Sequence, residues 1–197
     1  MKKPIFKYLL VFLVSLGLLG VSAMASSEKK VEISEVAWAG TEASWADEWI
    51  ELRNLTDEEI DLSGWKLTWE ETTVPLGEES GDTLTVKEAV VGPGEALLLE
   101  RTDDETVSTL EADVIYKGSL ANSGEKLVLK DGKGNQVDLI DATEGWPAGT
   151  DSGGEPPYAA MVLKDGSWKT AKTASDQEDA GGNEIYGTPG KVAEDNE

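Results

Sequence analysis

The chain has 197 residues, of which 17 are basic and 39 acidic, and it contains neither cysteine nor histidine. Disulfides and thiolate metal sites are therefore excluded, as is every catalytic triad or metal centre that needs an imidazole. The formal net charge of −22 at pH 7 repels nucleic acid phosphates and anionic membrane surfaces, so we expect neither as a partner.

Residues 1–25 have the pattern of a secretory signal sequence. Three lysines lie at the start, an apolar run follows, and Ala23-Met24-Ala25 provides small residues for cleavage after Ala25. Cleavage would give a secreted or cell-surface protein with no membrane insertion. The alternative is an uncleaved membrane anchor, because the apolar stretch approaches the ~18 residues that span a bilayer.

After a short linker at 26–30, residues 31–170 predict one all-β domain. Short runs of β-branched and aromatic residues alternate with Gly, Asn, Asp and Pro clusters, and helical periodicity is lacking. The GPG at 92–94 and the DGKGN at 131–135 predict turns. The candidate strands are 31–38, 48–54, 64–70, 83–88, 95–101, 113–118, 126–131 and 136–143.

Eight or nine short strands favour an immunoglobulin-like antiparallel β-sandwich. In EWIELRN, at 48–54, Ile50 and Leu52 share the face that we assign to the core, and Trp49, Glu51 and Arg53 share the other. Trp49 would then lie on the outer face or beneath a loop. Acid-rich edge strands would discourage pairing between copies, so we expect a monomer.

Residues 171–197 are poor in apolar side chains and rich in Ala, Gly, Asp and Glu. This composition predicts an irregular acidic segment that contains GTPG and ends in a disordered tail.

Six landmarks along the chain resemble the lamin tail domain, in the form carried by many secreted bacterial proteins. They are VEISEVAWAGT, DEWIELRN, IDLSGW, the GPGE turn, SLANSGEKLVLKD and the closing GTPG, between Val31 and Gly190. The resemblance implies an immunoglobulin-like sandwich and supplies no catalytic residues. Bacterial members often accompany an enzyme; here we expect the domain to stand alone, which leaves binding as the expected activity.

Two sets of acidic residues are candidate sites. Asp47 and Glu48 could suggest a carboxylate pair for glycan hydrolysis, but adjacent strand residues point to opposite faces, so we interpret them as a solvated strand entry. Calcium prefers several oxygen ligands, and Asp103, Asp104 and Glu105 are candidates for binding it. No loop motif supports them, so no cofactor is expected unless calcium binds there.

Exposed tryptophans could stack on sugar rings while nearby acids bind hydroxyl groups. We expect Trp38 and Trp65 to be buried, and Trp45 and Trp69 to be the exposed candidates for ligand binding. The sequence therefore predicts an exported, non-enzymatic module for adhesion or scaffolding, with an extracellular protein or glycan as partner. The alternatives are a calcium-dependent surface module and a carboxylate-based glycan hydrolase.

Overall fold

The computed structural model describes residues 29–191, and every regular element in that range is a β-strand. This confirms the predicted all-β class. Nothing within these bounds is a helix long and apolar enough to cross a bilayer. The predicted signal sequence at 1–25 and the tail from 192 to 197 lie outside the described residues.

The strands follow one another along the chain with short connections. They are β1 (Val31–Ala37), β2 (Trp49–Asn54), β3 (Ile60–Asp61), β4 (Lys66–Trp69), β5 (Thr72–Pro75), β6 (Thr83–Val86), β7 (Val90–Val91), β8 (Ala96–Arg101), β9 (Val114–Tyr116), β10 (Lys126–Lys130), β11 (Gln136–Asp141), β12 (Met161–Lys164), β13 (Ser167–Thr170), β14 (Ala174–Glu178) and β15 (Glu184–Tyr186).

Two sheets form the layers of a sandwich, as predicted. The larger has the order β13-β12-β1-β2-β8-β9-β6, and the smaller has the order β11-β10-β4-β5. Neighbouring strands are antiparallel except β8 and β9, which are parallel. Two further pairs, β3-β7 and β14-β15, complete the described strands.

The core lies between the two sheets. Ile50 and Leu52 of β2 contribute from the larger sheet, and Leu127 and Leu129 of β10 contribute from the smaller, all fully buried. Each such side chain stabilises the fold by about 2 kcal/mol relative to an exposed position. The alternation read from EWIELRN is therefore confirmed for the core face.

A bulge in β1 sets which side chains lie on the outer face of the larger sheet. Ile33 is opposite Leu52, but the register then shifts, and Glu35 is opposite Glu51. Because the extra residue reverses the alternation, Ile33 and Val36 both enter the core while Glu35 lies on the outer face.

The segment from 171 onward is more ordered than its composition predicts. The expectation of an irregular segment is wrong for β14 and β15, which form a hairpin packed beneath the loop before β2. Ile185 joins Trp49 in a second apolar cluster on the outer face, so Trp49 is covered by this segment and the 102–112 loop. Asp179 stabilises the turn between β14 and β15 and links it to the loop before β2, because its carboxylate accepts hydrogen bonds from the backbone N–H groups of Gly181 and Ala43.

The edge strands are less acidic than the prediction of a monomer assumed. The larger sheet ends in β13 and β6, whose sequences SWKT and TLTV contain no acid, whereas β11 at the edge of the smaller sheet contains two aspartates. Acidic side chains therefore protect one edge of the smaller sheet, and the monomeric state stays a prediction.

Candidate functional site

Trp45 has the largest exposed fraction of any large apolar side chain in the described range, at 72%. Its loop, between β1 and β2, is closed by Thr41 N donating to Ser44 O at 2.9 Å and Thr41 Oγ1 donating to Asp47 Oδ2 at 3.0 Å. Gly40 has a φ of +84°, and a Cβ there would lie 2.5 Å from Ser44 O. Only glycine permits this turn, which presents the indole on a fixed loop.

Arg101, at the end of β8, supports the ring of Trp45 from one side. Its guanidinium carbon lies 5.1 Å from the indole centroid, within the range of a cation–π contact. Arg101 Nη1 donates to Glu48 Oε1 at 3.0 Å, and Glu48 Oε2 accepts a hydrogen bond from Leu120 N at 2.8 Å. A buried carboxylate thus fixes the guanidinium, and the other face of the indole is open to solvent.

Burial raises the pKa of Glu48 to about 7, although the Leu120 hydrogen bond and the Arg101 charge both lower it. The cost of desolvation therefore exceeds the favourable contacts. Buried ion pairs of this kind add little net stability, but losing one partner is costly. The role of Glu48 is to position Arg101 beneath Trp45.

Two acidic residues lie close in sequence to Trp45 and Arg101: Asp47, two residues after Trp45, and Asp103. Burial, followed by the charges of Asp103 and Asp179, raises the pKa of Asp47, while hydrogen bonds from Thr41 and Ser44 lower it. Asp103 is exposed and lies two residues after Arg101. An exposed aromatic ring with acidic residues in its own loop suits either stacking on a sugar or contact with a protein.

The interpretation of Asp47 and Glu48 is half right. Asp47 lies in the partly exposed loop, as expected, but Glu48 is only 2% exposed and is paired with Arg101. Both residues precede β2, and their carboxylates have different partners: Asp47 accepts a hydrogen bond from Thr41, whereas Glu48 accepts hydrogen bonds from Leu120 and Arg101. They do not form a hydrolytic pair.

The structure does not assemble Asp103, Asp104 and Glu105 into a metal site. Asp104 Oδ1 accepts a hydrogen bond from Ala112 N at 2.7 Å, and Asp103 Oδ1 accepts one from Glu105 N at 3.2 Å. Between residues 29 and 191, no group of three acidic side chains is placed to hold a metal ion. These carboxylates stabilise the 102–112 loop, and no geometric feature favours calcium binding.

The prediction that Trp69 is an exposed candidate is wrong. Trp69 is 2% exposed, its Nε1 donates to Ser119 O at 3.1 Å, and its ring packs edge-on against Tyr116 with centroids 5.4 Å apart. It shares the inner face with Leu67, two residues earlier, while the acidic residues that follow it lie in the turn before β5. Trp38 is buried as expected, at 9% exposure.

Sequence reasoning missed a pair of buried carboxylates on the outer face of the larger sheet. Glu35 and Glu51 lie opposite each other on β1 and β2, and each is 1% exposed. Thr188 donates to Glu35 from its N–H at 2.9 Å and from its hydroxyl at 2.5 Å. Gly190 N donates to Glu51 Oε1 at 2.5 Å. The GTPG segment is therefore bound to the sheet through these two carboxylates.

Burial raises the pKa of Glu35 to about 7, against the hydrogen bonds from Thr188 that lower it. Burial, and then the charge of Glu35, raises the pKa of Glu51 well above its ordinary value. Burial therefore disfavours ionisation of both carboxyl groups. Perturbed carboxylates are typical of active sites, but residues 188–190 cover this pair and no substrate can reach it. We interpret it as a structural contact.

Comparison with known protein families identifies this chain. The lamin tail domain matches residues 24–144. The chain belongs to the lamin tail domain family. A search among curated proteins found no match. Trp45 and Arg101 lie within the matched part of the lamin tail domain, whereas β12 to β15 and the GTPG segment lie beyond it.

A groove of about 1500 Å³ runs along the outer face of the larger sheet, next to the lamin tail domain's own strands. Residues 171–176 and 187–191 form its walls, and β12 and β13 contribute to its floor. We call it the basic groove, after its five cationic lining residues: Arg53, Lys164, Lys169, Lys172 and Lys191. Sequence reasoning did not identify it, because its residues come from distant parts of the chain.

Proposed function

We propose that this lamin tail domain protein is an exported, non-enzymatic binding module that contacts extracellular proteins or glycans. The observation that supports the proposal is the exposed indole of Trp45 on its hydrogen-bonded loop. A large aromatic side chain exposed on a rigid loop is a typical contact residue, because little conformational entropy is lost when it binds.

The surroundings of Trp45 narrow the kind of partner. Arg101 lies over the ring, 72% of the Trp45 side chain is exposed, and the acidic residue Asp47 belongs to the same loop. A sugar ring could stack on the open face and donate hydroxyl hydrogen bonds to the acids. A basic or aromatic side chain of a protein could use the same surface.

The carboxylates argue for binding rather than hydrolysis. Glycoside cleavage needs two acids on either side of an accessible bond, about 5 to 9 Å apart. The perturbed carboxylates Glu35, Glu51 and Glu100 are all buried, at 1% exposure or less. Their pKa values are explained by burial beneath the chain's own loops, and substrate has no access to them.

Binding assays with Trp45 variants test the proposal. We would measure sedimentation of the mature protein with insoluble cell-wall polysaccharides, and its crosslinking to proteins on intact cells. Trp45→Ala should lower the bound fraction about tenfold, and Trp45→Phe should retain most of it. Leu84→Ala is a matched control, because Leu84 is also exposed and lies on β6.

Two outcomes would contradict the proposal. Binding by the Trp45→Ala variant equal to that of the original protein would remove Trp45 from the contact. Release of soluble oligosaccharides from any polysaccharide would show an enzyme. Export has its own test: deletion of residues 2–25 should retain the protein inside the cell.

A further inference from the structure

The basic groove reverses the charge balance of the chain. Its lining holds five basic and three acidic residues, whereas the whole chain has 17 basic and 39 acidic residues. The three acids are Glu95, Asp165 and Asp176. An excess of cations in one concave place on an otherwise acidic surface concentrates the field there, and an anionic group would be attracted to it.

The strand register places these cations on one face. Lys169 of β13 is opposite Val162 of β12, which is opposite Glu35 of β1. Lys164 lies two residues after Val162, so it shares that face, and Arg53 lies two residues after Glu51 on β2. Residues 187–190 therefore cover the outer face where Glu35 and Glu51 lie. The part of the same face beside them carries the cationic side chains.

The cations of the groove are mostly without acidic partners. In the part of the chain that the structure describes, Arg53, Lys164 and Lys169 form no salt bridge. Arg53 Nε is buried without a hydrogen-bond partner there, which is costly for a charged group. Lys172 Nζ reaches only a carbonyl, Glu155 O at 2.9 Å, and Lys191 is paired with Asp176.

The size and lining of the groove decide between classes of anion. A volume of about 1500 Å³ exceeds the ~300 to 1000 Å³ of small-molecule sites, which favours a polymer segment. The described lining contains no aromatic side chain on which a sugar or a base could stack. A long polyphosphate is charged along its whole length and would be repelled by the acidic surface around the groove, whereas a protein can confine its carboxylates to the segment that enters it.

We propose that the basic groove binds an acidic segment of a partner protein, with Arg53, Lys164 and Lys169 pairing with its carboxylates. Arg53 offers a planar donor fork that matches a carboxylate, and the lysines add less directional charge. Most of the lining lies beyond the residues matched by the lamin tail domain, since only Arg53, Gly94, Glu95 and Ala96 fall within them. The groove is thus built largely by residues that follow the matched range.

Fluorescence anisotropy with a labelled oligoglutamate peptide tests the proposal on the mature protein at low salt. We expect saturable binding that weakens as salt rises, because opposite charges are screened. The double variant Lys164→Glu and Lys169→Glu should weaken binding about tenfold. A matched double variant, Lys117→Glu and Lys133→Glu, changes the net charge equally at exposed positions outside the groove and should bind as the original does.

Three results would overturn the proposal: no binding of oligoglutamate, equal loss in both double variants, or stronger competition by a sulfated polysaccharide or single-stranded DNA than by oligoglutamate. Thermal unfolding of each variant shows that the fold is retained. The Trp45→Ala variant should bind oligoglutamate normally, because Trp45 does not line the groove. A failure of oligoglutamate to bind the basic groove can therefore be distinguished from a failure of Trp45 to contribute to partner binding.

Discussion

The two faces of the larger sheet solve burial in different ways. The inner face buries Ile50, Leu52 and their apolar neighbours against the smaller sheet. The outer face buries Trp49 and Leu98, but the same strands also bury Glu35, Glu51 and Glu100. Apolar burial is independent of pH, whereas buried carboxylates titrate, so the two faces should respond differently to pH.

The difference follows from what covers each face. The smaller sheet supplies apolar side chains to the inner face, so packing alone holds the layers together. Loops cover the outer face, and loops carry backbone N–H groups that need acceptors. Glu100 accepts hydrogen bonds from Thr106 N and Val107 N, as Glu35 does from Thr188 N. Buried glutamates are therefore the acceptors that fasten irregular chain to a sheet.

Truncation in the inner face should have the largest effect. Leu52→Ala would leave a cavity between the sheets and lower the free energy of unfolding by about 4 kcal/mol. The loss should be similar at pH 5 and pH 8, because Leu52 packs among apolar side chains, whose burial does not depend on pH. Urea denaturation at both pH values measures it. A loss that differs between them by half or more would show that the two faces are coupled.

A change of pH should act on the outer face of the unmodified protein. On that face, burial raises the pKa of Glu35 to about 7 and that of Glu100 to about 8. Between about pH 4.5 and 8 the folded protein therefore holds protons that the unfolded chain has lost, so stability falls as pH rises through that range.

The raised pKa of Glu35 alone corresponds to a change of about 3 kcal/mol in the free energy of unfolding, since one pKa unit is about 1.4 kcal/mol. The midpoint of thermal unfolding should therefore be higher at pH 5 than at pH 8. The aspartates with lowered pKa values, such as Asp131 and Asp176, lose their protons below this window and do not reverse the trend. A midpoint that rises with pH would contradict the assignment.

Sequence alternation predicted the inner face well and the outer face poorly. Ile50 and Leu52 followed from the period of two, and the same rule applied to Leu67 would have placed Trp69 in the core. Instead, the acids next to Trp69 suggested exposure, although they belong to the turn. The prediction for Trp69 relied on its acidic neighbours in sequence rather than on the face of β4 to which it belongs.

Other features depend on contacts that no local pattern contains. The burial of Glu35 requires that Thr188, 153 residues away, lies over it. The basic groove requires that β12 pairs with β1, which brings Lys164 and Lys169 onto the face that carries Arg53. Trp45 could be predicted as exposed because its loop has small and polar neighbours, but its support by Arg101 comes from β8.

Removing one charge from the buried pair should stabilise the protein. Glu51→Gln keeps an oxygen to accept the Gly190 hydrogen bond and removes the repulsion with Glu35. At pH 8 we expect a gain of about 2 kcal/mol, and at pH 5 almost none, because the pair is already protonated there. Chemical denaturation at both pH values measures the gain. Glu58→Gln, at an exposed position, is the control and should change neither value.

The smallest effect should come from the hydroxyl of Thr188, which donates to Glu35 Oε2 at 2.5 Å. Thr188→Val retains the shape of the side chain and the backbone N–H bond, so it should cost about 1 kcal/mol. The cost should be greater at pH 8 than at pH 5, because a hydrogen bond to an ionised carboxylate is stronger than one to a neutral acid. Hydrogen exchange should locate the change: amides at 188–190 should lose protection while those of β10 keep it. Equal loss of protection in both places would mean that the GTPG segment and the inner core unfold together, and the proposed independence of the two faces would be wrong.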